Sequence, residues 1–318
     1  MARRPRHSKV VGRDQPPLGD SDASTSTENQ RGTNPEHLID RSSVRNGSKA
    51  QQEPIRPSHQ DMTSVPLSET SLRGNPSIST RESIAWLPDP PFEDSSVVVL
   101  SSRSTSTPSA LPSLLYLDLR LSLPLSTDST VTWGFAGLRQ TLQLEPLPRH
   151  RWYHIIDTTC DGMSDEGQVE LVKDPKTGED IEVETGIGRN PSTGAMQEYQ
   201  EIWSEEPIPQ GSNYTFLTST ADPETSKAFM AVLGSHALAL SHEEGLPFQA
   251  IRMHRSSPDA AWMLVYKSSH SPSEPSAHSL EACLSALLSS PNRDIIKRGD
   301  RVELGGRTWT AFDAGIYH

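Results

Sequence analysis

From about residue 77 to the C-terminus, the sequence predicts an all-β protein made of two consecutive antiparallel β-barrels. Three observations lead there. Residues 1–76 contain no Phe, Trp or Tyr and are rich in Ser, Thr, Pro, Gln, Asn and charge. Such a segment cannot bury enough apolar surface to offset the entropy of ordering it, so a disordered N-terminal tail is expected. Beyond it, short stretches alternate apolar and polar with period two and are separated by turn residues. One late segment breaks that period and repeats with helical spacing.

The strands follow in order. Ser95–Ser101 is short and β-branched. Leu114–Leu121 alternates from Tyr116, with Asp118 and Arg120 on a face opposite Leu117, Leu119 and Leu121. In Thr130–Gly137, Val131, Trp133 and Phe135 share a face. His150–Asp157 and Gln168–Lys173 are further strands. The sharpest local signal is a hairpin: Asp180–Gly186 runs in, Met196–Trp203 runs out, and Arg189-Asn-Pro-Ser-Thr-Gly turns between them. Its Pro presets φ and its Gly tolerates positive φ. Glu205-Glu-Pro-Ile-Pro-Gln-Gly reads as a linker.

The second half repeats the style, with strands at Tyr214–Thr218, Lys227–Leu233, His236–Ser241, Gln249–Arg255 and Ala261–Lys267. Leu280, Cys283, Leu284, Leu287 and Leu288 then form one apolar face of a short helix, with Ser279 as its cap and Pro291 as its stop. Arg301–Leu304, Gly305-Gly306 and Arg307–Phe312 complete a closing hairpin. Residues 77–210 and 211–318 each suit one small barrel, and closure would remove exposed strand edges.

Charge and cysteine content exclude several classes. The net charge is −12, distributed as +2 over residues 1–75 and −14 over the remainder. An acidic body repels phosphate, so nucleic-acid binding is not expected. Cys160 and Cys283 are the two cysteines, which fits free thiols in a reducing compartment. No run of about 18 apolar residues is present, so no membrane span is expected. The start MARRPRHSKVVGR has no apolar stretch of the secretory kind and reads as a solvated tail, with a nuclear address as the alternative.

The search for chemistry removes more than it finds. Gly186-Ile-Gly lacks the third glycine of a dinucleotide fingerprint, since Pro191 stands there, and a strand follows rather than a helix. His150 and His154 share a strand face but lie about 13 Å apart, too far to hold one metal between them. Cys160 sits beside Asp161, which disfavours a thiolate. No G-x-S-x-G elbow occurs. No metal, cofactor or catalytic residue is expected.

What remains is the first-half hairpin. Glu201 alternates onto the face of Tyr199 and Trp203, and Glu184 stands on the facing strand. Both read as polar groups of a barrel lumen or of a closure network, in preference to an acid–base pair; Glu182 reads as solvated. Trp133, Phe135, Trp152, Tyr199 and Trp203 are candidates for an apolar lumen, against the commoner alternative of plain core. A small eight-stranded barrel is either filled by side chains or holds one small ligand.

Several motifs, in order along the chain, resemble one family: Ser77-Ile-Ser-Thr-Arg-Glu-Ser-Ile-Ala-Trp-Leu-Pro, Val131-Thr-Trp-Gly-Phe-Ala-Gly, Glu184-Thr-Gly with Tyr199-Gln-Glu-Ile-Trp, and Arg307-Thr-Trp-Thr-Ala-Phe with the Tyr317-His318 ending. The chain is similar over residues 77–318 to the fungal Hrr-kinase-interacting protein family. The resemblance implies tandem lipocalin-like barrels, association with a casein kinase I-type kinase, cytoplasmic and nuclear distribution, and no established enzymatic activity. It also allows contact with a subunit of the endoplasmic-reticulum translocation machinery. The tail is additional to the family pattern, and the second half matches less closely than the first. Three functions are therefore in competition. They are a non-catalytic kinase-interaction protein, a carrier of a small apolar molecule in the first barrel, and an enzyme using Glu184 and Glu201.

Overall fold

The computed structural model describes residues 71–107, 110–126, 129–159, 164–174, 177–268, 279–291 and 293–318. The tail reading and Cys160 thus fall almost wholly outside the described residues. Pairing nevertheless starts before Ser77, because β1 (Ser71–Arg73) lies along β4 (Ser104–Thr107). No helix among the described residues is long and apolar enough to cross a membrane.

The first half closes. Its strands are β2 (Ser77–Trp86), β3 (Ser95–Ser101), β5 (Ala110–Ser122), β6 (Val131–Gln143), β7 (Arg149–Asp157), β8 (Ser164–Lys173), β9 (Asp180–Arg189) and β10 (Met196–Glu205). All pair antiparallel in the order β5-β3-β2-β10-β9-β8-β7-β6, and β6 returns to β5. The result is an eight-stranded up-and-down barrel. Strand β2 precedes the point where periodicity suggested that strands begin. Its alternation is muted because Arg81 occupies a buried position there, beside Ile78, Ile84 and Ala85. The predicted β9–β10 hairpin forms, with Arg189 paired to Met196. Asn190 Oδ1 accepts from the Ser192 amide, and Gly194 takes φ +69°.

The second half does not close, which corrects the expectation of a second barrel. Strands β11 (Asn213–Thr218), β12 (Ala228–Leu233), β13 (His236–Ser241), β14 (Gln249–His254), β15 (Met263–Lys267), β16 (Arg301–Leu304) and β17 (Arg307–Ile316) form an open sheet ordered β15-β14-β13-β12-β11-β17-β16. β15 and β16 are its edges. Helix α1 (Leu280–Ser289) is capped by the Ser279 side chain, which accepts from the Ala282 amide. Its Leu280, Cys283, Leu284 and Leu287 pack on one sheet face with Met230, Ala237 and Trp309. A helix thus covers the face that closure would have enclosed.

The other sheet face packs on the outside of the barrel. Phe216, Phe229, Leu238 and Leu240 share one core with Leu115, Leu117, Leu119 and Leu121 of β5. Alternation explains how one strand serves two cores. In β12, Ala228, Met230 and Val232 face the helix, while Phe229, Ala231 and Leu233 face the barrel. Polar clamps also join the halves. Asp313, fully buried, accepts from the Arg103 amide and from its guanidinium at 2.7 Å. Arg252 donates to Ser96 Oγ at 2.9 Å. The 205–211 segment read as a linker is packed as well, through Ile208 in the shared core.

Candidate functional site

Because the leucines of β5 face outward under the sheet, its alternate residues Tyr116, Asp118 and Arg120 face the barrel lumen. The polar face of this strand is therefore the inner one. The lumen holds a cavity of about 570 Å³. Exposed Phe92, Asp94, Arg189, Pro191 and Ser192 line it at one end, where the β2–β3 and β9–β10 connections meet.

All seven sequence candidates line this one cavity: Trp133, Phe135, Trp152, Glu184, Tyr199, Glu201 and Trp203. Glu184 and Glu201 are direct cross-strand partners in the β9–β10 ladder, and both are buried. They lie on one face and adjacent, the proximity an acid–base pair would require. Their partners differ. Glu201 accepts from Arg81 and, at 3.2 Å, from Arg120. Glu184 accepts from the Tyr199 hydroxyl at 2.8 Å. Burial, reinforced by the Glu201 charge, raises the Glu184 carboxyl to about 8, so it is largely protonated at neutral pH. Burial also pushes Tyr199 up.

Glycines make room for this pair. A Cβ on Gly186 would stand 2.7 Å from the Tyr199 oxygen, and one on Gly167 would stand 2.9 Å from Glu184 Oε1. The glycines of the E-T-G-I-G stretch of β9 thus give room to the Tyr199 ring, and Gly167 of β8 gives room to the Glu184 carboxyl.

A charged network that the sequence reading did not assemble crosses the lumen. Arg81 donates to Glu93 at 2.7 Å as well as to Glu201, and Arg120 donates to Asp118 at 2.9 Å. Burial disfavours the Arg120 charge, but Asp118 and Glu201 outweigh it and raise its pKa. The guanidinium also lies 4.8 Å from the Trp133 ring centroid. Burial raises Asp118, with Arg120 opposing. Glu182, read as solvated, lies on the lumen side, and burial raises its pKa. Alternation in β5 and β9 contained this signal. What it lacked was the sign telling which face looks inward.

His154 is the second group the reading set aside. Its Nδ1 donates to Asp157 Oδ2 at 2.7 Å, its ring stacks on Phe135 at 4.2 Å, and its Nε2 lies 3.4 Å from Asp165. Burial opposes its charge, yet the two carboxylates prevail and raise it to about 9. Asp157 also accepts from Trp133 Nε1 at 3.0 Å, and its carbonyl accepts from His242, just past β13. His150 points to Thr141 instead, at 3.2 Å. Burial and the Arg139 charge lower His150 to about 4.

Comparison with protein-family models matches residues 77–313 to the model described as Protein HRI1. No curated protein and no solved structure matches the chain.

Proposed function

The chain belongs to the Protein HRI1 family, and from that premise we propose that its closed barrel is a non-catalytic receptor for one small organic molecule. The observation behind this reading is the cavity of about 570 Å³ inside the barrel. That volume lies in the usual range for small-molecule sites. Aromatic side chains supply contact area. Catalysis by the two glutamates is the weaker reading, because Glu201 is already neutralised by two arginines. The charged lumen also alters the notion of a purely apolar cargo. Native mass spectrometry on the full-length chain, purified without detergent, tests the reading. A discrete mass increment of small-molecule size, lost on denaturation, is expected. Apo mass alone, with no small molecule taken up on titration, overturns it.

A second reading is association with a casein kinase I-type kinase in the cytoplasm and nucleus. The motif resemblance implies it, and the acidic Ser/Thr run Asp20–Ser26, which lies outside the described residues, supplies hydroxyls for phosphorylation. Affinity purification at endogenous expression, with a kinase-dead bait, should recover the pair. Absence of any such kinase would sink it. The same purification reports whether a translocation subunit of the endoplasmic reticulum accompanies the chain.

A further inference from the structure

The lumen holds a guanidinium, Arg139, to which no carboxylate among the described residues closes as an ion pair. Its main carboxylates are engaged: Asp118 by Arg120, Glu201 by Arg81 and Arg120, and Asp157 by His154, Trp133 and Thr159. Trp203 Nε1 is buried and makes no hydrogen bond, His154 Nε2 faces Asp165 at 3.4 Å, and the Glu182 carboxylate also lines the cavity. Arg139 stands on the same face of β6 as Trp133 and Phe135 and lines the cavity. The carboxylates of Glu182, Glu184 and Glu205 act on Arg139 only from a distance, and none closes to an ion pair with it. A guanidinium in a partly desolvated cavity without a bound carboxylate is an anion site by its chemistry.

The surroundings of Arg139 narrow the class. Its cross-strand partner is Trp152, which packs with Trp133 against Tyr116 and Phe135. An aromatic wall therefore adjoins the free guanidinium. On the reading of the barrel as a small-molecule receptor, we infer that the ligand is an aromatic monoanion, with its acid group on Arg139 and its ring against Phe135, Trp133 and Trp152. A carboxylate and a sulfonate present the same oxygen pair to a guanidinium, so the class is set by the charge and the ring.

Two fluorescent probes of nearly equal shape test this on the full-length chain. One is 8-anilinonaphthalene-1-sulfonate; the other is its uncharged counterpart N-phenyl-1-naphthylamine. The anion is expected to bind once per chain, about tenfold or more tighter than the neutral probe, and to weaken with salt. Arg139→Gln should cost the anion about tenfold or more and leave the neutral probe within about twofold. Equal affinity of the two probes for the unaltered chain, or anion binding indifferent to Arg139→Gln, overturns the anionic class while leaving the receptor reading intact. Saturable binding of neither probe overturns both. The comparison on the unaltered chain stands even where the variant fails to fold.

Discussion

Glu184 and Glu201 face each other across the β9–β10 ladder, one held by a tyrosine hydroxyl and the other by two arginines. Burial, with the Glu201 charge beside it, raises the Glu184 carboxyl, and the Tyr199 hydroxyl bond opposes that rise.

The first prediction concerns pH. Glu184 has its folded pKa raised from 4.5 to about 8, so the folded state holds a proton that the unfolded chain releases. Its contribution to stability is complete below about 4.5 and is lost as pH rises through about 8. Glu184→Gln keeps the shape and an acceptor for Tyr199 but cannot ionise. The unaltered chain should lose a few kcal/mol more than this variant, about that order, between pH 5 and 8. Urea midpoints across that range measure it. Parallel curves for the two proteins would refute a protonated Glu184. His154, raised to about 9, adds a further fall between about 6.5 and 9 in both proteins.

Removing the other member of the pair has a different signature. Glu201→Ala leaves two buried guanidinium groups short of a counter-charge, but Arg81 keeps Glu93 and Arg120 keeps Asp118. The cost should therefore fall at the low end for a broken buried pair, about 3 kcal/mol. Urea denaturation at low ionic strength measures it. A change under about 1 kcal/mol would show that the network is solvated.

The shared core makes the two halves one cooperative unit. Residues 71–205 or 213–318 expressed alone would expose the β5 leucines or the phenylalanines of β11 and β12. Each fragment is expected to aggregate or remain unfolded. A dispersed amide spectrum from either fragment would contradict this. Asp313→Ala, which empties the clamp on Arg103, should lower stability by about 3 kcal/mol while keeping a single transition.

Two glycines separate backbone strain from packing. Gly194 and Gly305 both take positive φ, +69° and +55°. Around Gly194 a Cβ meets nothing within 4 Å, whereas at Gly305 it would lie 2.6 Å from the Cys283 amide of α1. Gly194→Ala should cost about 1 kcal/mol, the conformational part alone. Gly305→Ala should cost at least about 2 kcal/mol more, because the closing hairpin would lift from the helix. Equal melting temperatures for the two variants would refute that contact.

Much of the architecture was legible residue by residue. Periodicity located most of the strands, the β9–β10 turn carried its Pro and Gly, and α1 occupies the helix-spaced segment. Two things were not legible. Closure of the second half depended on whether β15 met β16, and nothing local in Met263–Lys267 or Arg301–Leu304 encodes a missing neighbour. The orientation of the lumen was also hidden. Period two assigns Leu117, Leu119 and Leu121 to one face and Asp118 and Arg120 to the other, but it is symmetric between inward and outward. An open sheet packed outside the barrel broke that symmetry, and it lies more than ninety residues further along the chain. The five aromatic candidates are legible through alternation in β6, β7 and β10, and Glu184 and Glu201 through the facing carboxylates of the β9–β10 hairpin. Arg139 is not legible because an isolated basic residue carries no spacing signal, and the spacing of His154 from His150 speaks only against a shared metal, not to its carboxylate partners.

Over Leu115–Leu121, strand β5 has a lumen of ion pairs on one side and the shared leucine core on the other, and every residue of that stretch is buried. Its amides bond to β3 and β6, strands that are themselves enclosed by the second sheet. Opening any part of it requires both halves of the molecule to come apart. Leu115–Leu121 should therefore be the last segment to take up deuterium, exchanging only through global unfolding, and should act as the slowest clock in the protein.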